Sequence, residues 1–158
     1  MKFLSGDEEK NAIFYLSKAA ELARKSECLD AKCGSVIVNN GLIIGSGYNK
    51  PAGNNRRCGR SKESYHRRVT DKTCCVHAEE RAIMDALCLN QDKIKGSRIY
   101  FIRVDEKGGS IKAGRPYCTI CSKLALDRGI EEFVLWHEDG VCVYTAEEYD
   151  SLSADYSD

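Results

Sequence analysis

The sequence predicts an α/β fold, a three-layer α/β/α sandwich around a five-stranded mixed sheet with an antiparallel C-terminal hairpin. Three observations predict it: apolar residues recur at helical spacing in four segments, five short segments are rich in β-branched and apolar residues, and the two kinds alternate along the chain. The 158 residues, 42% of them hydrophobic, suit one buried core. We therefore expect a single domain over residues 1–158.

Each element follows from a local pattern. Helices are expected over 7–25, 76–89, 118–128 and 146–152. Strands are expected over 33–38, 42–48, 97–104, 132–136 and 141–145. Ser5 and Glu8 have the spacing of a capping box before the first helix. Asn40-Gly41 predicts a hairpin turn, and only 137–140 separate the last two strands, so these should pair antiparallel.

The sequence shows no pattern of a membrane span or a signal peptide, and this bears on how its cysteines are interpreted. No stretch approaches the roughly 18 apolar residues of a membrane span, and the first ten residues lack the apolar core of a signal peptide. We therefore expect a cytoplasmic protein without a membrane partner, in a compartment where thiols stay reduced. The nine cysteines are then better explained by metal binding than by a disulfide framework.

Two short motifs, each at the predicted start of a helix, carry the chemistry. Cys118 and Cys121 are three residues apart and share a helix face, where the positive helix N-terminus favours thiolates. Two adjacent thiolates call for a cation, for which Zn²⁺ is the ordinary choice. His77 is a plausible third ligand, and the open fourth position would bind water and lower its pKa toward about 7. Glu79, two residues from His77, can take a proton from that water.

Each motif taken alone has an explanation other than a catalytic zinc site. A Cys-x-x-Cys pair is often half of a structural zinc site or a redox pair, and His-x-Glu occurs by chance. Both motifs together, in this order and on helix starts of an α/β layout, favour a catalytic zinc.

The combination of His77-x-Glu79 with Pro116 and Cys118-x-x-Cys121 resembles the signature of the cytidine deaminase-like superfamily, over residues 7–152. The resemblance implies a zinc-dependent hydrolytic deaminase that converts a cytosine to a uracil and releases ammonia. It assigns zinc to His77, Cys118 and Cys121, and the proton transfers to Glu79. One departure is Tyr117, which separates Pro116 from the first cysteine but leaves the ligand spacing intact.

Substrate contacts are expected around the same motifs. In the superfamily an asparagine at the end of the second strand often contacts the sugar, which suggests Asn49; a turn residue is the equal alternative. Ala78, Pro116 and Tyr117 are further expected contacts. Superfamily members frequently form oligomers, so the resemblance also implies a homo-oligomer.

A basic segment precedes the His77 helix. Between Lys50 and Lys72 it has eight Lys or Arg against two acidic residues, although the formal net charge of the chain is zero. Clustered arginines suit phosphate, and the candidates are Arg56, Arg57 and Arg60. A nucleotide phosphate, a nucleic-acid backbone and simple solvation of a loop all stay open as explanations.

The substrate class has three candidates. The His ligand and the basic segment are similar to deoxycytidylate deaminases, whereas the C-terminal hairpin is similar to free cytidine deaminases. We expect a free cytosine nucleoside or nucleotide first, a base in single-stranded RNA or DNA second, and a non-catalytic zinc module third. Zero net charge counts against nucleic acid.

The remaining cysteines carry weaker expectations. Some deoxycytidylate deaminases have a second, structural zinc, for which the candidates here are Cys58, His66, Cys74 and Cys75. We favour unliganded side chains, because four candidates do not fix a geometry. Small core hydrophobes are expected at Cys28, Cys33, Cys88 and Cys142.

Overall fold

A computed structural model describes residues 1–53, 58 and 75–156 of the protein. The helices are α1 (Gly6–Ala23), α2 (Ala78–Leu89), α3 (Thr119–Arg128) and α4 (Ala146–Ala154). The longer strands are β2 (Lys32–Asn39), β3 (Leu42–Tyr48), β6 (Arg98–Val104), β8 (Glu132–His137) and β9 (Gly140–Thr145). Two-residue strands are β1 (Lys2–Phe3), β4 (Lys50–Pro51), β5 (Cys75–Val76) and β7 (Ser110–Ile111).

The central sheet is mixed and contains all five predicted strands. Its order is β1-β9-β8-β6-β2-β3, with β7 added beside β6. Strands β6 and β8 run parallel, whereas β2 pairs antiparallel with both β3 and β6. Strands β8 and β9 form the predicted antiparallel hairpin. The predicted fold class is therefore confirmed, and the short strands β1 and β7 extend the sheet to seven.

Helices cover both faces of the sheet. On one face, α1 packs Leu16 and Ala20 against Val36 and Tyr100 in one buried cluster. On the other face, Ile83 of α2 belongs to a second cluster with further apolar residues, including Ile37, Ile99, Ala125, Phe133 and Tyr149. Burying each large side chain of this kind contributes about 1.5–3 kcal/mol. The two clusters fill the two interfaces between the sheet and the helices of the predicted α/β/α sandwich.

Two glycines let α2 lie directly on β3. A Cβ atom at Gly45 would stand 2.4 Å from the carbonyl oxygen of Ala82, and one at Gly47 would stand 2.5 Å from that of Ala78. Such distances are too short for any side chain, so only glycine permits this approach. The close contact fixes the beginning of α2, and therefore the residue before it, against the end of β3.

One local expectation is wrong, and another is tested only at its ends. The Ser5 side chain makes no capping hydrogen bond to α1, and the Glu8 carboxylate accepts a hydrogen bond from Lys2 Nζ at 3.2 Å instead of closing a capping box. The predicted loop over 50–73 lies mostly outside the described residues. Its two ends pair as a short antiparallel ladder of β4 with β5.

None of the helices in the described part of the chain has the length and apolar character needed to cross a membrane.

Candidate metal centre

Three predicted ligands converge at one point. His77 Nδ1 lies 3.2 Å from Cys118 Sγ and 3.3 Å from Cys121 Sγ, and the two sulfur atoms are 2.9 Å apart. All three atoms lie within 4.8 Å of one another, so one ion can contact all of them. Both cysteines are buried and His77 is half-buried.

Helix starts hold these ligands in place. His77 is the residue immediately before α2, and its backbone N–H donates to Glu80 Oε2 at 2.8 Å. Cys118 occupies the same position before α3, and its sulfur accepts a hydrogen bond from the backbone N–H of Cys121 at 3.3 Å. The partial positive charge of both helix N-termini is therefore directed at the ligand cluster, where it favours thiolate.

The pKa shifts of the three side chains indicate that the cluster favours a bound positive charge. A hydrogen bond from Cys121 lowers the pKa of Cys118 to about 5, whereas burial raises the pKa of Cys121 well above its usual value. Burial lowers the pKa of His77, but its hydrogen bond to Cys118 and the neighbouring negative charges outweigh this and raise the pKa to about 9. The cluster thus attracts positive charge, and Zn²⁺ can take the place of the protons. The His/Cys/Cys set matches the donors of a catalytic zinc.

Glu79 is the carboxylate beside the cluster. Its side chain is only 4% exposed, and it interacts electrostatically with Cys118 and His77. Burial, and next the negative charge of Cys118, raise the pKa of Glu79 to about 7. A carboxyl group with this pKa can both accept and release a proton near neutral pH.

Asn49 has a structural role that its sequence context did not indicate. Its Oδ1 accepts from Ser26 Oγ at 2.7 Å and from the Cys33 N–H at 2.8 Å, while Nδ2 donates to the Ala31 carbonyl at 2.6 Å. The Asn49 side chain also forms a hydrogen bond with Cys28, which helps to lower the pKa of that thiol. The Asn49 amide is therefore engaged by its neighbours through both its oxygen and its nitrogen, and the sugar contact stays a prediction.

The other expected substrate contacts differ in accessibility. Ala78 and Pro116 are buried, whereas Tyr117 is 39% exposed and packs edge-on against Tyr156, with ring centroids 5.1 Å apart. Tyr117 is therefore the member of this group that presents an accessible aromatic surface beside Cys118.

A polar relay holds the segment that leads to Cys118. The Ala113 N–H donates to the Trp136 carbonyl at 2.7 Å, and the Ala113 carbonyl lies 3.0 Å from His137 Nδ1. The Tyr144 hydroxyl lies 2.8 Å from His137 Nε2. An Nδ1–H tautomer of His137 satisfies both contacts, because Nδ1 then donates and Nε2 accepts. Sequence reasoning missed this relay.

A second cysteine cluster brings together Cys28, Cys58 and Cys75, whose sulfur atoms lie within 4.8 Å of one another. A hydrogen bond from Cys75 is the main cause that lowers the pKa of Cys28 to about 5. The prediction that Cys28 is a core hydrophobe is therefore wrong, as is that for Cys88, which is exposed, whereas Cys142 is buried. Of the other candidates, His66 and Cys74 lie outside the described residues.

The candidate phosphate ligands Arg56, Arg57 and Arg60 also lie outside the described residues.

Comparisons with known proteins agree with this geometry. Residues 9–137 match the family model for the cytidine and deoxycytidylate deaminase zinc-binding region. The chain is 29% identical to the deoxycytidylate deaminase of Mycobacterium phage D29 over 130 residues, which cover 77% of this chain and 90% of that protein. A 79-residue match to the deoxycytidylate deaminase of Schizosaccharomyces pombe is 32% identical and covers 46% of this chain and 24% of the relative.

Solved structures support the same fold. The dCMP deaminase of cyanophage S-TIM5, crystallised in complex with dCMP and dUMP, aligns with a TM-score of 0.58 at 23% identity. The alignment covers 82% of each chain. The apo form of that protein gives a TM-score of 0.57 at 22% identity.

Proposed function

We propose, on the premise that this chain belongs to the cytidine and deoxycytidylate deaminase family, that it deaminates the free nucleotide dCMP to dUMP. The chain is a zinc-dependent hydrolytic deaminase. The observation that carries the choice of substrate is its similarity to the Mycobacterium phage D29 deoxycytidylate deaminase over 90% of the length of that protein. A nucleotide-bound structure of the S-TIM5 enzyme with the same fold supports this choice.

Four residues perform the chemistry in this proposal. His77, Cys118 and Cys121 would hold Zn²⁺. When bound, this ion would lower the pKa of water and so supply a nucleophile near neutral pH. Glu79 removes one proton from the attacking water and delivers it to N3 of the cytosine ring, while the water oxygen bonds to C4. Glu79 then carries the second water proton to the amino group, the C4–N bond breaks, and ammonia leaves. The carboxylate of Glu79 ends ionised, as it began.

A substrate panel tests the proposal. Zinc-loaded protein is incubated with dCMP, deoxycytidine, CMP, cytidine and cytosine-containing single strands, and uracil product and ammonia are measured. We expect turnover of dCMP with a higher kcat/KM than deoxycytidine. Turnover confined to oligonucleotides would instead identify a nucleic-acid deaminase, and absence of turnover with zinc bound would contradict a cytosine substrate.

We also propose that Cys28, Cys58 and Cys75 belong to a second, structural zinc site. Three sulfur atoms within 4.8 Å of one another support it, because a structural zinc is held by sulfur and nitrogen ligands. The test is the zinc content per chain. Cys75→Ser should lose one of two zinc equivalents, while Cys88→Ser, a change at an exposed cysteine, should keep both. One equivalent in the unmodified protein would contradict the second site.

A further inference from the structure

The side chain of Arg103 lies on the same face of the sheet as the candidate metal centre. Its neighbours on β6, Ile102 and Val104, pack in the cluster with α1. Successive strand residues point to opposite faces, so Arg103 points to the other side, with Ile99 and Phe101. That side carries α2 and α3, whose N-termini hold the metal ligands.

The strand register places Arg103 at the end of the sheet where α2 begins. Gly47, which lies under Ala78, pairs with Ser35, and Ser35 pairs with Phe101. Arg103 lies two residues beyond Phe101, about 6.6 Å farther along β6. The beginning of α2 and Arg103 therefore lie near the same end of the central strands.

Cys33 lies next to Arg103 and is close enough to Glu79 for the charge of that carboxylate to affect it. It pairs directly with Arg103, and its backbone exchanges hydrogen bonds with Asn49 on its other side, at 2.8 and 3.1 Å. Burial raises the pKa of Cys33, the charge of Glu79 raises it further, and the charge of Arg103 opposes them. The charges of Arg103 and Glu79 therefore both act on Cys33, whose backbone Asn49 holds on the other side.

The Nε atom of the Arg103 guanidinium is buried and has no hydrogen-bond partner among the described residues. Arg81 also has a buried Nε without a partner among the described residues, but its Nη2 donates to the carbonyl oxygens of Lys50 and Pro51 at 3.4 and 3.3 Å. Buried polar groups are normally hydrogen-bonded, so an oxygen acceptor that is not part of the described chain is expected here. The planar fork of a guanidinium matches a phosphate particularly well.

We propose that Arg103 binds the 5′-phosphate of the substrate and thereby sets the preference for nucleotide over nucleoside. This inference rests on the proposed function, since it names the residue that recognises the phosphate of dCMP. A dianionic phosphate is the strongest oxygen acceptor on that substrate, and Arg103 has no paired carboxylate among the described residues to neutralise its charge.

The test compares two substrates that differ only in the phosphate. Values of kcat/KM for dCMP and deoxycytidine are measured for the wild type, Arg103→Met and Arg103→Lys. Arg103→Met should lower kcat/KM for dCMP by about 10- to 100-fold, as for a lost hydrogen bond to a charged group. Activity on deoxycytidine should stay within about twofold of wild type. Arg103→Lys keeps the charge but loses the fork, so its effect on dCMP should be intermediate.

The control is Arg128→Met, which removes one positive charge from the exposed end of α3 and should leave both activities unchanged. Equal losses on both substrates, or an unchanged preference for dCMP, would overturn the role of Arg103. A wild-type protein that does not deaminate dCMP would instead contradict the proposed function.

A binding measurement separates recognition from folding. Thermal melting reports whether Arg103→Met is folded, and calorimetry measures the affinity of each protein for dUMP and for deoxyuridine. Weaker binding of dUMP with unchanged binding of deoxyuridine supports the phosphate contact. Equal weakening of both products, or loss of folding in Arg103→Met together with undiminished dUMP binding by Arg103→Lys, would overturn it.

Discussion

At the scale of single residues, His77 has two tasks at the beginning of α2. Its imidazole Nδ1 faces both ligand thiols, while its backbone N–H is held by the Glu80 carboxylate at 2.8 Å. The backbone contact limits the directions in which the ring can point. Glu80 is therefore a positioning residue for the metal centre and contributes to the stability of α2.

Glu80→Ala should destabilise the protein by about 1 kcal/mol, because α2 loses a capping interaction, and should weaken zinc binding. The measurements are chemical denaturation and competition with a zinc chelator. Glu80→Gln keeps a carbonyl acceptor for the His77 N–H and should retain most of both properties. Equal zinc affinity in all three proteins would contradict the positioning role.

Residues that act through local spacing could be predicted from the sequence, and those that act through strand register could not. His77 with Glu79, and Cys118 with Cys121, are two and three residues apart, so the motifs identify them directly. Arg103 lies beside Cys33, 70 positions away in the sequence, only through the pairing of β2 with β6. The sequence alone does not state that register.

At the scale of elements, the packing of α2 on β3 sets the position of the metal centre. The two glycines of β3 allow the helix to approach until carbonyl oxygens of α2 lie where side chains would otherwise stand. His77 immediately precedes this helix, so any displacement of its first turn moves a proposed zinc ligand.

Gly47→Ala should therefore destabilise the protein by about 1–3 kcal/mol, as overpacking does, and reduce zinc occupancy. The new Cβ would lie 2.5 Å from the Ala78 carbonyl oxygen. Gly114→Ala is the matched control, because a Cβ there meets nothing within 4 Å. Denaturation and metal analysis measure the effect, and a Gly47→Ala protein as stable as the control would refute the packing argument.

The relay through His137 fixes the segment before α3. His137→Ala removes the side-chain contact to the Ala113 carbonyl and should cost about 1 kcal/mol of stability. It should also lower kcat for dCMP, since Tyr117 and Cys118 follow this anchored segment. His137→Asn retains an N–H near the Nδ1 position and should restore part of the loss in kcat. Loss of stability without any change in kcat would show a purely structural relay.

The longer elements were predictable because their periodicity extends over six or more residues. The five longer strands of the sheet and the four helices lie where the apolar pattern places them. The two-residue strands have no periodicity of their own, since each exists only through pairing with a distant partner. The contact of the Glu8 carboxylate likewise depends on tertiary position, because it pairs with Lys2 of β1 instead of completing a capping box.

At the scale of the whole molecule, the α/β/α arrangement places an apolar cluster on one face of the sheet and the candidate metal centre on the other. The α1 face of the sheet is an apolar cluster without proposed metal ligands among its described members. The opposite face carries both helices whose N-termini meet at His77, Cys118 and Cys121. The fold thereby places a buried carboxylate, Glu79, beside a cation site at the edge of one core.

The most direct test of the proposed proton transfer by Glu79 is a comparison of Glu79→Gln with the wild type for zinc content and dCMP turnover. Glutamine keeps the size of the side chain but cannot carry the protons, so zinc should stay bound while kcat falls by at least about 100-fold. Glu147→Gln, an exposed change on α4, should alter neither quantity. Normal turnover by Glu79→Gln with zinc bound would contradict a catalytic role for Glu79.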